Sequence, residues 1–133
     1  MERMPDTAPR RLAELRTLLL RHHKSLLDGE RAVYERDVAP IASTGQYLNL
    51  VMSDPWFAWL RELSQFIVQV DEATSPRRPA SDETAERLLG EARQLLTPDE
   101  AGQGFALRYF EVLQRDPEAV LAHRDVTAAL AKL

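Results

Sequence analysis

Apolar side chains recur at intervals of three or four residues along most of the chain, the spacing of one face of an α-helix. In the first segment they fall at positions 12, 15, 19, 26 and 33. This pattern predicts a long helix over about residues 9–38, because the proline at position 40 disfavours helical backbone in the residue before it. No stretch alternates apolar and polar residues as a strand would. The chain is therefore predicted to be all-α.

Helix-start signals divide the remainder of the chain. Ser43 followed by Gln46 has the form of a capping box and predicts a short helix that ends near Met52. Asp54-Pro55 places a cap carboxylate before a proline at the first helical position, so it predicts the start of an aromatic helix that we expect at the centre of the core. Asp116-Pro117 repeats this signal and predicts the start of the last helix.

Two prolines in residues 74–81 predict a flexible connection between two sub-bundles. A helix is predicted to begin near Asp82, and a break at Gly102 and Gly104 predicts a further helix from about Phe105. The chain is then a single domain over residues 1–133, an irregular bundle of five or six helices. Its length is sufficient to bury a core without disulfides.

The composition argues against several classes of function. The chain is 44% hydrophobic and 29% charged, as is typical of globular proteins. A net charge of −4 argues against nucleic acid as a partner, because phosphate binders usually carry a basic face. The absence of cysteine removes disulfides and thiolate chemistry. No segment approaches the roughly 20 apolar residues that span a bilayer, and we expect no secretion signal, so a cytoplasmic protein without a membrane partner is expected.

Two polar residues, His22 and Glu30, interrupt the apolar stripe of the first helix. A buried polar group without a hydrogen-bond partner costs several kcal/mol, so each should meet a partner. A neighbouring row on the same helix carries the polar candidates His23, Arg31 and Tyr34, and Lys24 is a further polar candidate.

The predicted aromatic helix ends with Asp71 and Glu72, where acids are unfavourable because the C-terminal end of a helix dipole is negative. If the first helix and the aromatic helix pack antiparallel and rise by the same distance per residue, these acids lie opposite residues 20–24. His23, Asp71 and Glu72, with His123 as a further ligand, are then candidates for a metal site.

Three interpretations of this constellation stay open. The favoured one is a structural polar network that fixes the register of the helices. The others are a metal or small-ligand site and simple solvation of the histidines. Neither the Glu-x-x-His nor the His-x-x-x-His spacing of helical metal sites occurs, which weakens the metal hypothesis. No serine-nucleophile motif or phosphate-binding glycine loop is present, so no catalytic residue or cofactor is predicted.

The aromatic residues Tyr47, Trp56, Phe57 and Trp59 are predicted to be core, with a ligand groove as the alternative. The residues at 56, 57 and 59 cover most of the circumference of a helix. One tryptophan is therefore expected to be partly exposed.

Two segments, HKSLLDGERAVYE (residues 23–35) and DPWFAWLRELSQFIVQVDE (residues 54–72), resemble a group of small bacterial helical-bundle proteins without an assigned activity. The resemblance implies a bacterial, stand-alone helical domain and supplies no functional residue. With a core and helix caps but no catalytic set, the sequence favours a non-enzymatic binding or regulatory module that acts through a protein partner or self-association. The alternative is a small-ligand or metal-dependent enzyme or binding protein that uses His23, Asp71 and Glu72.

Overall fold

A computed structural model describes residues 7–133, and within this range it contains helices and no strand. The prediction of an all-α bundle is confirmed. The proline-containing lead-in at residues 1–6 lies outside the described residues. None of the described helices combines the length and the apolar character needed to cross a membrane.

Six α-helices and one 3₁₀ helix follow one another along the described chain. They are α1 (Ala8–Asp37), α2 (Thr44–Ser53), the 3₁₀ helix (Pro55–Leu60), α3 (Arg61–Ala73), α4 (Asp82–Leu95), α5 (Phe105–Arg115) and α6 (Pro117–Ala131). Residues 74–81 form the predicted non-helical connection.

The predicted helix starts are confirmed by their hydrogen bonds. Ser43 Oγ accepts from the backbone N–H of Gln46 at 3.1 Å, and Asp54 Oδ1 accepts from that of Trp56 at 2.9 Å. Asp116 Oδ1 caps α6 in the same way, at 3.0 Å from the N–H of residue 118. Each of these side chains satisfies a backbone donor that has no partner within its helix.

The long first helix is the centre of the fold, because α3, the 3₁₀ helix, α4 and α6 all pack against it. The expectation that the aromatic helix would be central is therefore wrong. The buried residues of α1 follow the helical spacing of three or four: Ala8, Leu12, Leu15, Leu19, His22, Leu26 and Glu30. Two polar side chains thus lie within the buried stripe, as the sequence predicts.

The aromatic segment begins as a 3₁₀ helix over Pro55–Leu60 and not as the predicted α-helix. A 3₁₀ helix has three residues per turn, so Phe57, Leu60 and Leu63 fall in line, and all three are buried. Trp56, predicted to be core, does not fall on this line and is half-buried. The expectation of a partly exposed tryptophan is confirmed.

The last helix runs antiparallel to α1. Arg11 Nε, near the start of α1, donates to the carbonyl of Leu133 at 2.9 Å, while a Cβ added to Gly29 would lie 3.0 Å from Asp116 Oδ2 at the start of α6. Gly29 therefore allows α6 to approach α1 closely. This register places the middle of α6 beside His22.

Candidate functional site

A chain of two hydrogen bonds joins three helices through the core. His22 Nε2 lies 2.8 Å from Tyr109 Oη, and the same hydroxyl lies 2.6 Å from His123 Nδ1. His22 and Tyr109 are buried and His123 is half-buried. Their rings also pack edge to face, with centroids 5.7 Å apart for His22 and Tyr109 and 5.3 Å apart for Tyr109 and His123. The partner of the buried histidine therefore comes from α5.

Burial sets the protonation states of these three hydrogen-bonded side chains. Loss of solvent, together with the smaller effects of the charges of His123 and His23, lowers the pKa of His22 to about 4. Burial also lowers the pKa of His123 and raises that of the Tyr109 hydroxyl. All three groups are therefore neutral at pH 7, and neutral groups of this kind can each donate and accept a proton.

Glu30, the second polar residue in the stripe, holds a separate network two turns further along α1. Its carboxylate accepts a hydrogen bond from Arg115 Nη2, which makes an ion pair, and another from Trp59 Nε1 at 3.3 Å. Trp56 Nε1 donates to the Glu30 main-chain carbonyl at 3.3 Å. Glu30 therefore ties α1 to the end of α5 and to the 3₁₀ helix.

The predicted constellation of His23, Asp71 and Glu72 is not assembled. Asp71 Oδ1 instead accepts a hydrogen bond from Arg16 at 2.9 Å, and Arg16 lies two helical turns before His23. Glu72 is exposed beside Asp71, and His23 is half-buried on α1. Within residues 7–133 no three His, Asp or Glu side chains are arranged to hold a metal ion. The predicted juxtaposition is wrong because the two helices meet at a different register.

The remaining predicted polar residues of α1 make local contacts. Lys24 Nζ donates to Asp28 at 2.7 Å on the exposed face, and Arg31 Nε donates to Glu35 at 2.8 Å. These pairs, four residues apart, contribute a few tenths of a kcal/mol each. They form no part of a shared site with His23.

An aromatic cluster joins the end of α1 to the 3₁₀ helix and α2. Tyr34 packs against Trp56 and Phe57, with ring centroids 5.8 Å apart in both cases. Tyr47 of α2 packs against Phe57 at 6.1 Å, and the guanidinium of Arg31 lies 4.4 Å from the Tyr47 ring centroid. The cluster therefore positions α2 by aromatic and cation–π contacts.

Helix α2 carries none of the buried residues of the described chain, although it contains no charged side chain. Leu48 and Met52, one turn apart, are 55% and 75% exposed, and Val38 in the preceding loop is 54% exposed. Arg61 Nη2 donates to the Met52 carbonyl at 2.8 Å and fixes the end of this helix. The fold thus holds an apolar helix face in a defined position towards solvent.

Sequence reasoning missed two of the partners, Tyr109 and Arg115, and named His123 only for a metal site. A signal for Tyr109 was present, because it lies on the apolar stripe of α5 between the buried residues Phe105 and Val112. Its hydroxyl had to find a partner in the core. No comparable signal marks Arg115, which lies at the exposed end of α5.

No family model, curated protein or solved structure matches this chain. The likeness to small bacterial helical proteins therefore stays a prediction from the sequence.

Proposed function

We propose that the protein is a non-enzymatic association module that binds through α2, and that the surface it binds is the α2 of a second copy. The observation that carries this proposal is the exposure of three apolar side chains, Leu48 and Met52 of α2 and Val38 before it, which we take together as one surface and call the α2 face. Exposed apolar residues that lie together are a feature of interaction sites.

The position of the α2 face is fixed before any partner arrives. Tyr47 packs on Phe57, and Arg61 holds the carbonyl of Met52. A preorganised surface loses less conformational entropy on binding than a flexible one. This supports a role in recognition for residues that no core contact explains.

The charges around α2 favour a second copy as the occupant. The helix itself carries no charge, so two copies can pack face to face without repulsion. The charged side chains at the end of α1 include two pairs of opposite sign, Arg31 with Glu35 and Arg36 with Asp37. A twofold interface brings each group opposite its symmetry mate, and a neutral face meets this requirement.

The strength of this association follows from the exposed area. Burying an apolar side chain of this size contributes about 1.5–3 kcal/mol, so the exposed fractions of Val38, Leu48 and Met52 contribute roughly 3–5 kcal/mol in each copy. Association costs at least about 4 kcal/mol in lost translational and rotational freedom. Two copies together gain at most about 10 kcal/mol, so the balance is no more than about 6 kcal/mol and predicts a weak dimer, with a Kd between tens of micromolar and several millimolar.

Sedimentation equilibrium over a concentration series tests the proposal. We expect the unaltered protein to shift from monomer to dimer in this range, and Met52→Glu to remain monomeric because it places like charges at the interface. The matched control is Leu121→Glu, since Leu121 is 59% exposed on α6, and this variant should dimerise normally. A monomer at millimolar concentration, or equal disruption by both variants, would contradict the proposal.

The proposal also assigns the protein to the bacterial cytoplasm, without nucleic acid as a partner. The net charge of −4 supports the second point. Cell fractionation checks the location. Fluorescence anisotropy with a labelled DNA duplex at physiological salt checks the partner, and saturable binding would contradict this part of the proposal.

A further inference from the structure

The hydrogen-bond chain from His22 to His123 is buried at the His22 end and reaches the surface at the His123 end. Within residues 7–133, His22 Nδ1 is the buried side-chain nitrogen that has no hydrogen-bond partner. His123 uses Nδ1 to contact Tyr109. Its Nε2 makes no hydrogen bond with the described residues and is not buried, so this atom opens to solvent.

The unpartnered nitrogen of His22 decides which group donates and which accepts in the two hydrogen bonds. If His22 Nε2 donates to Tyr109 Oη, and Tyr109 donates to His123 Nδ1, then His22 Nδ1 is unprotonated and no N–H donor is buried without an acceptor. The opposite direction would bury an unpaired N–H on His22, which folded proteins rarely do. The favoured direction leaves the proton of His123 on Nε2. His123 therefore presents a hydrogen-bond donor at the surface.

His123 lines a cavity of about 350 Å³ between the end of α4 and α6. Leu96, Pro98 and Leu130 form apolar walls, and none of the described residues that line the cavity is acidic. The volume falls within the range of small-molecule sites, which combine apolar walls with a few polar groups.

Arg93 is the second donor in the cavity. Its Nη2 donates to the carbonyl of Leu130 at 3.2 Å, which fixes the guanidinium and offsets the negative end of α6. The hydroxyls of Thr97 and Thr127 are already committed, because each donates to the carbonyl four residues earlier along the chain, at 2.7 and 2.8 Å. The free donors of the cavity are therefore His123 Nε2 and the remaining guanidinium N–H groups.

We propose that this cavity binds a small monocarboxylate with a short apolar body, whose carboxylate accepts hydrogen bonds from His123 Nε2 and Arg93. Two positioned donors without a competing acid suit an anion, and charge-assisted hydrogen bonds of this kind are stronger than neutral ones. The apolar walls suit the body of the ligand. This site lies outside the α2 face and does not depend on self-association.

NMR titration of the full chain tests the site with two probes, butyrate and benzoate, and with the neutral amides butyramide and benzamide. We expect saturable shifts of the His123 ring nitrogens and of the backbone around Thr97, with a millimolar Kd for a carboxylate and at least tenfold weaker binding of its amide. Equal binding of the amides would overturn the assignment to carboxylates. The absence of saturation with all four probes would overturn the site.

Three variants separate this site from general attraction of anions. Arg93→Gln should weaken butyrate binding at least tenfold, whereas the matched control Arg87→Gln, on the exposed face of the same helix, should leave it unchanged. Tyr109→Phe removes the proton that holds His123 in its donor tautomer, so binding should weaken severalfold although Arg93 remains. Unchanged affinity in Arg93→Gln, or equal losses in both arginine variants, would contradict the proposal.

Discussion

Acidification from pH 7 to pH 5 should destabilise the fold, and His22 should account for much of the loss. Burial lowers the pKa of His22 from 6.5 to about 4 in the folded protein. Between these values the unfolded chain binds a proton that the folded chain rejects. Stability therefore rises with pH across this window and falls as the pH drops through it.

The size of the effect follows from the two pKa values. At pH 5 an unfolded histidine with a pKa of 6.5 is almost fully protonated, whereas His22 with a pKa of about 4 is mostly neutral in the folded protein. Integration of this difference in bound protons between pH 7 and pH 5 gives about 2 kcal/mol from His22 alone. His23 and His123 act in the same direction, because burial also lowers their pKa values.

Urea unfolding at both pH values, followed by tryptophan fluorescence, measures this effect. His22→Phe keeps an aromatic ring against Tyr109 but cannot be protonated, so its loss of stability between pH 7 and pH 5 should be about 2 kcal/mol smaller than that of the unaltered protein. His23→Gln is the matched control, and its pH dependence should change less because His23 is only half-buried. The same pH dependence in His22→Phe and the unaltered protein would refute the reasoning.

Three further predictions concern the packing of α1 and are measured by the same urea unfolding at pH 7. Arg115→Gln should lower the free energy of unfolding by about 3 kcal/mol, because it leaves the buried Glu30 carboxylate without its counter-charge. Glu30→Gln should cost less, because Arg115 is partly solvated. Equal losses in the two variants would contradict this prediction. Gly90→Ala should stabilise the protein by about 0.5–1 kcal/mol, because the added Cβ meets open space. Gly29→Ala should bring no such gain, because its Cβ meets the cap of α6. A similar gain at both positions would argue against close contact between α1 and α6. Asp71→Asn should cost less than about 1 kcal/mol, since its ion pair is exposed, and a loss of several kcal/mol would show a larger role for Asp71.

Local signals in the sequence were sufficient for the helices and for part of the site. Caps at Ser43, Asp54 and Asp116 act on neighbouring backbone, so their effect is visible from a few residues. The spacing of α1 also showed that His22 and Glu30 would be buried and would need partners. Burial of a position depends on which face of its own helix it occupies, and periodicity reports this directly.

The identity of the partners depends on how distant segments meet, and the sequence did not predict it. Counting residues along two antiparallel helices of equal rise per residue placed Asp71 opposite residues 20–24. The aromatic segment, however, begins as a 3₁₀ helix, which rises by about 2.0 Å per residue, and α2 packs on this helix. Asp71 instead meets Arg16, and the longer rise of these six residues, about 3 Å in total, accounts for only part of this shift. The partners of His22 and Glu30 come from α5 and the 3₁₀ helix, whose register against α1 no local pattern determines.

Cysteine cross-linking is the most direct test of self-association through α2. The chain contains no cysteine, so a single introduced thiol reports one position without background. With a short bis-maleimide at a protein concentration near the Kd, Met52→Cys should give a covalent dimer, whereas Val68→Cys, an exposed position on α3, should remain monomeric. A failure of Met52→Cys to cross-link, or equal cross-linking of both variants, would contradict the proposed role of the α2 face.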